Sequence, residues 1–176
     1  NVKQLEELIE LSRKNKRLLV ESTFFNYHVQ IKKLIKEYRN VSYKKVYAKF
    51  IIPKPDKKSI LMSKKLQGGV LMDMGPYISS IPRLFNLKKI LKKRIRITKN
   101  SDKLITSIKF LLNFEEGDYD GNFKFGGKYK NEIKITNKIK KISIQRAFSP
   151  PDNENLIIKS KFKKTYKITK LKKDNC

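Results

Sequence analysis

What most constrains the fold is a train of short segments, in the second half of the chain, whose apolar residues recur at every second position. Leu104, Thr106, Ile108, Phe110 and Leu112 set that period over 104–114, and Ile95 and Ile97 alternate with Arg94, Arg96 and Thr98 over 90–98. Segments 122–125, 131–136, 140–145, 156–162 and 165–169 also read as strands, with turn residues Glu115-Glu116-Gly117-Asp118 and Asn137-Lys138 between neighbours. A period of two is that of a strand, whose successive side chains point to opposite faces. Strands joined by tight turns pair antiparallel, because a parallel return needs a long crossover. Lys alternating with Ile then puts one face in a core and leaves the other wet. The first half supplies helices, over 2–17 (Leu5, Leu8, Ile9 and Ser12 at helical spacing), 28–38 (Ile31, Leu34, Ile35 and Tyr38) and 70–85. A half-buried strand over 43–52 turns Val46, Ala48, Phe50 and Ile52 inward and is stopped by Pro53 and Pro55. Leu18-Leu19-Val20 reads as a further short, buried strand. The expected class is α+β: a large, mainly antiparallel open sheet with helices packed on one face.

The net charge of +27 over 176 residues invites a nucleic-acid or anionic-membrane partner. Its make-up argues otherwise, since 36 of the basic residues are Lys against 7 Arg, spread from Lys3 to Lys173. Arg is the side chain that grips phosphates and base edges bidentately. Lys, Ile and Asn abundant together are what an AT-rich coding sequence yields by drift, so a solvated lysine surface is expected, without a nucleic-acid or membrane partner. The single cysteine, Cys176, excludes a disulfide framework and a CxxC metal site. It also points to a reducing, cytoplasmic compartment. No apolar run approaches the ~18–20 residues of a membrane span. The opening at Asn1 suggests an incomplete reading frame.

The stretch that carries chemistry is Gly68-Gly69-Val70-Leu71-Met72-Asp73-Met74-Gly75-Pro76-Tyr77. Glycines at a helix start let a ligand approach the backbone, and free N–H groups there favour negative or polar oxygens. Asp73 and Tyr77 lie four apart, on one helix face one turn from each other. Gly75 and Pro76 are costly inside a helix and are tolerated where something must pass close to it. A phenol gives or takes a proton when a nearby cation lowers its pKa. The residues alone leave two readings open: a carboxylate and a phenol aimed at one substrate, or a kinked core helix whose Tyr hydroxyl is merely satisfied. His28, the sole histidine, is a pocket residue or a helix-start residue with a satisfied ring. With no clustered carboxylates it makes no metal site, and with no positioned partner it makes no catalytic triad. Glu21 ends the expected first strand and either lines a domain junction or is merely solvated. Glu115, Glu116, Asp118 and Asp120 lack EF-hand spacing and read as a solvated acidic loop. Phe125 and Tyr129 flank Gly126-Gly127 and either stack on a ligand ring or pack in a core or interface.

Four stretches, in order, resemble the Gfo/Idh/MocA (glucose–fructose oxidoreductase/inositol dehydrogenase) family. Gly68–Tyr77 is similar to its GGG-x-L-x-D-x-G-x-Y/H pattern. Val20-Glu21-Ser22-Thr23-Phe24-Phe25-Asn26-Tyr27-His28-Val29-Gln30 resembles M-E-x-F-M-Y-R-F-H-P-Q. Asn131-Glu132-Ile133-Lys134-Ile135-Thr136 resembles the N-E-x-x-I-x-G strand-turn, and Arg146-Ala147-Phe148-Ser149-Pro150-Pro151 the R-A-F-S-P-P of some members. The chain departs from the pattern at Gln67, in place of one glycine, at Asn26, in place of Arg, and at Val29, in place of Pro.

The resemblance implies a two-domain enzyme that passes a hydride between NAD or NADP and a sugar carbon, with a sugar or sugar-derived, including nucleotide-linked, substrate. Residues 1–25 would be the remnant of the dinucleotide-binding Rossmann domain and its linker, its last helix-strand unit. Residues 26–176 would form the substrate-binding and oligomerisation domain, paired with a second copy through the sheet. Tyr77 then occupies the place of the proton donor or acceptor, Asp73 hydrogen-bonds the sugar or orients the site, and Gly69, Asn26 and His28 line the substrate. No G-x-G-x-x-G follows a strand here. The cofactor-binding residues, and the E-K-P lysine that would activate Tyr77, are therefore expected upstream of Asn1, and this portion alone is expected to be inactive. A non-catalytic dimerisation scaffold and a basic nucleic-acid-binding module are the competing functions.

Overall fold

The computed structural model describes residues 2–20, 23–150, 156–162 and 165–171. Helix α1 (Val2–Lys14), a 3-10 turn (Phe24–Tyr27) and helix α2 (Val29–Tyr38) lead into strand β1 (Lys44–Ile52). A second 3-10 turn (Ile60–Met62) and helix α3 (Val70–Leu84) follow. Then come β2 (Ile90–Lys99), β3 (Ile105–Phe114), β4 (Gly117–Phe125), β5 (Lys130–Thr136), β6 (Lys140–Gln145), β7 (Leu156–Phe162) and β8 (Thr165–Leu171). The eight strands make one sheet in the order β2-β3-β4-β1-β5-β6-β7-β8. β1 slots between β4 and β5, parallel to the first and antiparallel to the second, and the other pairings are antiparallel. This is the expected α+β class.

Register decides which face is the core. Val46 lies between Tyr119 and Ile135, Ala48 between Gly121 and Ile133, and Phe50 between Phe123 and Asn131. All nine of these positions face the helices. Glycine at 121 makes room for a neighbour, because a Cβ there would lie 2.0 Å from the Phe110 ring. That ring in turn packs edge-on to Tyr119 at 4.9 Å and stacks with Phe123 at 6.2 Å. Helix α3 lies over β3 and β4. Helix α2 buries Ile31, Leu34 and Tyr38 and reaches β6 through a Glu37–Lys140 ion pair.

Three expectations need correction. Leu18–Val20 is not a strand, and Leu18 is 90% exposed. A strand needs a partner for its backbone groups, and none of the described strands offers one. β2 was expected to be half-buried, yet all ten of its residues are exposed. It is the edge of the sheet and the helices do not cover it, so Ile95 and Ile97 stay open. Asp118 and Asp120 belong to β4 rather than to a loop. They face the open side, where Lys45 pairs with Asp118 at 3.6 Å.

Lys44 is a buried cation, 1% exposed. Its Nζ donates to the carbonyls of Arg39 and Phe85, each at 2.9 Å. These are the C-cap residues of α2 and α3, so one ammonium meets orphan carbonyls and the negative dipole end at two helix termini. Burial holds its pKa below the ordinary lysine value, against the opposing pull of Glu116. Lys44→Met is expected to lower stability by about 1–3 kcal/mol, since it leaves those carbonyls unmet; urea denaturation checks it.

Alkaline pH should act through buried phenols. The Tyr38 and Tyr119 hydroxyls have no hydrogen-bond partner among the described residues. Burial, then Glu37, raises Tyr38 to about 12, and burial raises Tyr119 well above the ordinary value of 10.0. Below pH 10 both folded and unfolded chains keep these protons and the contribution to stability is complete. Above it the unfolded chain ionises first, so stability falls as pH rises through Tyr38's folded pKa. The urea midpoint should therefore drop more steeply between pH 10 and 12 in the wild type than in Tyr38→Phe.

Candidate active site

Helix α3 starts where two glycines are required by close packing. A Cβ at Gly68 would sit 2.4 Å from the Ile60 carbonyl oxygen. Gly69 has φ of 102°, and its Cβ would lie 3.0 Å from the Ile105 oxygen and 3.2 Å from the Leu104 side chain. Its N–H donates to the Leu61 oxygen at 2.8 Å, and its carbonyl accepts from Asp73 at 3.1 Å. The glycine pair thus presses the helix start onto the 60–61 turn and the start of β3, a packing reason independent of any ligand. At Gly75 the case is the reverse: nothing lies within 4 Å of an added Cβ. Open space borders α3 between Asp73 and Tyr77.

Tyr77 is half-buried in an aromatic cage. Its ring lies 5.3 Å from Phe25, 5.5 Å from Phe50 and 5.3 Å from Phe148. Edge and tilted contacts of this kind contribute ~0.5–1.5 kcal/mol each beyond burial, enough to fix the ring against α3. Phe25 and Phe148 are fully buried. Asn131, 4% exposed, accepts the Phe148 N–H with Oδ1 at 2.9 Å and donates through Nδ2 to Ser149 Oγ at 2.9 Å. The four motif stretches, far apart in the chain, therefore converge: Phe25 from the first, Tyr77 from the second, Asn131 from the third and Phe148 from the fourth.

Asp73 stands at the surface one turn before Tyr77, and burial by the surrounding chain nevertheless raises its pKa above the ordinary carboxylate value. None of the described cations pairs with it. Asn26, next to Phe25, buries its Oδ1 with no donor among the described residues. His28 caps α2 through its backbone, its carbonyl accepting from Ile31 and Lys32 at 2.9 Å each, while its ring meets Phe24 edge-on at 5.6 Å. Glu21 falls outside the described residues. Phe125 is a core residue and Tyr129 packs at the margin of the core. No group of three or more His, Cys, Asp or Glu among the described residues is placed to hold a metal ion.

Reasoning along the sequence missed the cage. Phe25 and Phe148 sit inside stretches already singled out, and Phe50 is an inward residue of β1, but nothing in a linear pattern tells that their rings meet. Asn131 carried a readable signal, because strand alternation puts this polar side chain on the same face as Ile133 and Ile135.

No protein-family profile matches the sequence, and no curated protein matches it. Solved structures do. A 3-ketoreductase from Actinomadura kijaniata, in complex with NADP and TDP-benzene, superposes with TM-score 0.81 at 20% identity, over 96% of this chain and 54% of that one. An aldose-aldose oxidoreductase from Caulobacter crescentus gives 0.77 at 16% identity, over 93% and 51%. A UDP-N-acetylglucosamine 3-dehydrogenase from Acidithiobacillus ferrooxidans gives 0.70 at 12%, over 100% and 54%. This chain spans about half the length of these proteins. It has the α+β fold, built on an eight-stranded and mostly antiparallel sheet, of the C-terminal domain of sugar oxidoreductases.

Proposed function

We propose that the chain is the substrate-side part of an NAD(P)-dependent oxidoreductase acting on a sugar or sugar-derived, including nucleotide-linked, substrate. The observation that carries this is the convergence of the four motif stretches on Tyr77, beside the open space at Gly75. The described residues include no glycine-rich strand-to-helix turn, so they do not fit the phosphates of a dinucleotide. The cofactor belongs to a Rossmann domain outside this sequence, with residues 1–25 as its remnant and linker and 26–176 as the substrate domain. The chemistry that cofactor supplies is a hydride.

Within this chain, the Tyr77 hydroxyl exchanges a proton with the sugar oxygen, and its cage holds the phenol at one orientation while excluding water from three sides. Asp73 accepts from a neighbouring sugar hydroxyl, and the half-buried Asn26 lines the same mouth beside Phe25. His28 lines the same mouth at the start of α2, and Gly69 anchors the helix that carries both Asp73 and Tyr77. The exposed sheet face is the proposed surface for a second copy. What supports this is that it carries Tyr47 beside the Lys45–Asp118 and Lys134–Glu132 ion pairs, with Ile51 further along β1, and lies uncovered.

The test joins the chain to a dinucleotide-binding domain and follows NADPH absorbance with a panel of free and nucleotide-linked keto-sugars. Sugar-dependent oxidation is expected. A folded, dinucleotide-bound fusion inert towards the whole panel would favour the non-catalytic scaffold.

A further inference from the structure

Two of the motif stretches, 131–136 and 146–151, have so far only supported Tyr77. They also build something of their own. We propose that Arg146, Tyr129 and Lys130 form an anion subsite that takes the diphosphate portion of the substrate; this rests on Tyr77 being the reacting centre.

A cavity of about 420 Å³ opens between the start of β5 and the end of β6, lined by Tyr129, Lys130, Asn131, Glu132, Gln145 and Arg146. That size suits a small ligand. Arg146 has φ of 55°, a left-handed conformation that a non-glycine residue keeps only where its surroundings hold it. Two bonds do so: its N–H donates to the Asn131 oxygen at 2.7 Å, and its carbonyl accepts from Gln30 Nε2 at 3.1 Å. Its guanidinium lies 4.9 Å from the centre of the Tyr129 ring.

The phenol is fixed as well. Asn131 Nδ2 donates to its oxygen at 3.0 Å, and Ser149 Oγ lies 3.4 Å away. Burial alone would raise the Tyr129 pKa, but hydrogen bonds with Ser149, Asn131 and Arg146 outweigh it and draw the phenol below its ordinary value. No described carboxylate pairs with Arg146, and Glu132, the acid lining the cavity, is held by Lys134 at 2.9 Å. What remains is a planar fork of N–H donors, pre-oriented by stacking, beside the exposed Lys130. That set matches the oxygens of a phosphate.

The position suits a substrate handle. Ser149 follows Phe148, whose ring touches that of Tyr77. A diphosphate held at Arg146 is thus bound by the same segment that packs Phe148 against the reacting phenol, and binding energy from this non-reacting part can hold the sugar in place. A sugar carboxylate would offer similar oxygens, so the test carries both.

The measurement is an amide NMR titration of the full chain at constant ionic strength, with inorganic pyrophosphate in one arm and glucuronate in the other. Pyrophosphate should give saturable shifts at Tyr129, Lys130, Arg146 and Ala147. Arg146→Lys, which keeps the charge but loses the fork and the stack, and Tyr129→Phe should each weaken binding at least tenfold while the rest of the spectrum is preserved. Tyr77→Phe should bind as the wild type does. Shifts scattered over the lysine surface without saturation, unchanged affinity in Arg146→Lys, or saturation by glucuronate alone would overturn the proposal. Because pyrophosphate binding needs no turnover, failure of the oxidoreductase reading and failure of this subsite are told apart.

Discussion

Phe148→Ala is expected to cost about 3–5 kcal/mol of folding stability and to abolish the geometry at Tyr77. The ring has no exposed surface. It contacts Phe25 at 5.3 Å, stacks with Phe50 at 5.4 Å and touches Tyr77 and Phe123 at 5.3 and 5.9 Å. Cutting it to a methyl group opens a cavity between β1, β4 and helix α3, and Asn131 still holds the Arg146 and Phe148 N–H groups and Ser149 Oγ, so the loop cannot collapse to fill it. A loss of that size is a large part of the ~5–15 kcal/mol that holds a domain together. Phe148→Leu keeps most of the volume and should cost less than half as much. Urea denaturation followed by far-UV circular dichroism gives both values; equal, small losses would mean that the cage is not the keystone described.

Tyr77→Phe should behave in the opposite way. The phenyl ring keeps all three cage contacts, so the fold should survive with little change in its urea midpoint. The proposed proton donor is lost, and general acid–base catalysis is worth about 10²–10⁴ in rate. In a chain joined to a dinucleotide-binding domain, kcat should fall by about that factor while KM stays near the wild-type value, because the missing interaction is made in the transition state. Retained activity would remove Tyr77 from the chemistry.

Much of the fold was legible because the central strands each have one apolar and one wet face. The alternations over 131–136 and 140–145 coincide with β5 and β6, and the helical stripe of Ile31, Leu34 and Tyr38 is the buried stripe of α2. Short apolar runs misled: Leu18–Val20 has strand composition without a strand partner, and composition does not report neighbours. Pairing order was not legible, since the insertion of β1 between β4 and β5 is a tertiary choice that leaves no local mark. Lys44 could have been found, as it shares parity with Val46, Ala48 and Phe50, the buried face of β1. Its charge hid it, because the two helix ends that meet it are visible only once the fold is assembled. At the site, the Asp73–Tyr77 spacing was readable from helix geometry. The cage, and the orphaned Asn26 oxygen beside it, depend on side chains brought from distant segments.

The central claim is that the Tyr77 hydroxyl meets the reacting oxygen of a sugar. A crystal structure of the chain joined to a dinucleotide-binding domain, with NADP and the keto-sugar turned over fastest, tests this directly. The phenol oxygen is expected within about 2.6–3.2 Å of the sugar oxygen that changes protonation, with the sugar lying along α3 at Gly75. A sugar bound elsewhere, or a Tyr77 hydroxyl closed off from the bound sugar by the cage, would contradict it.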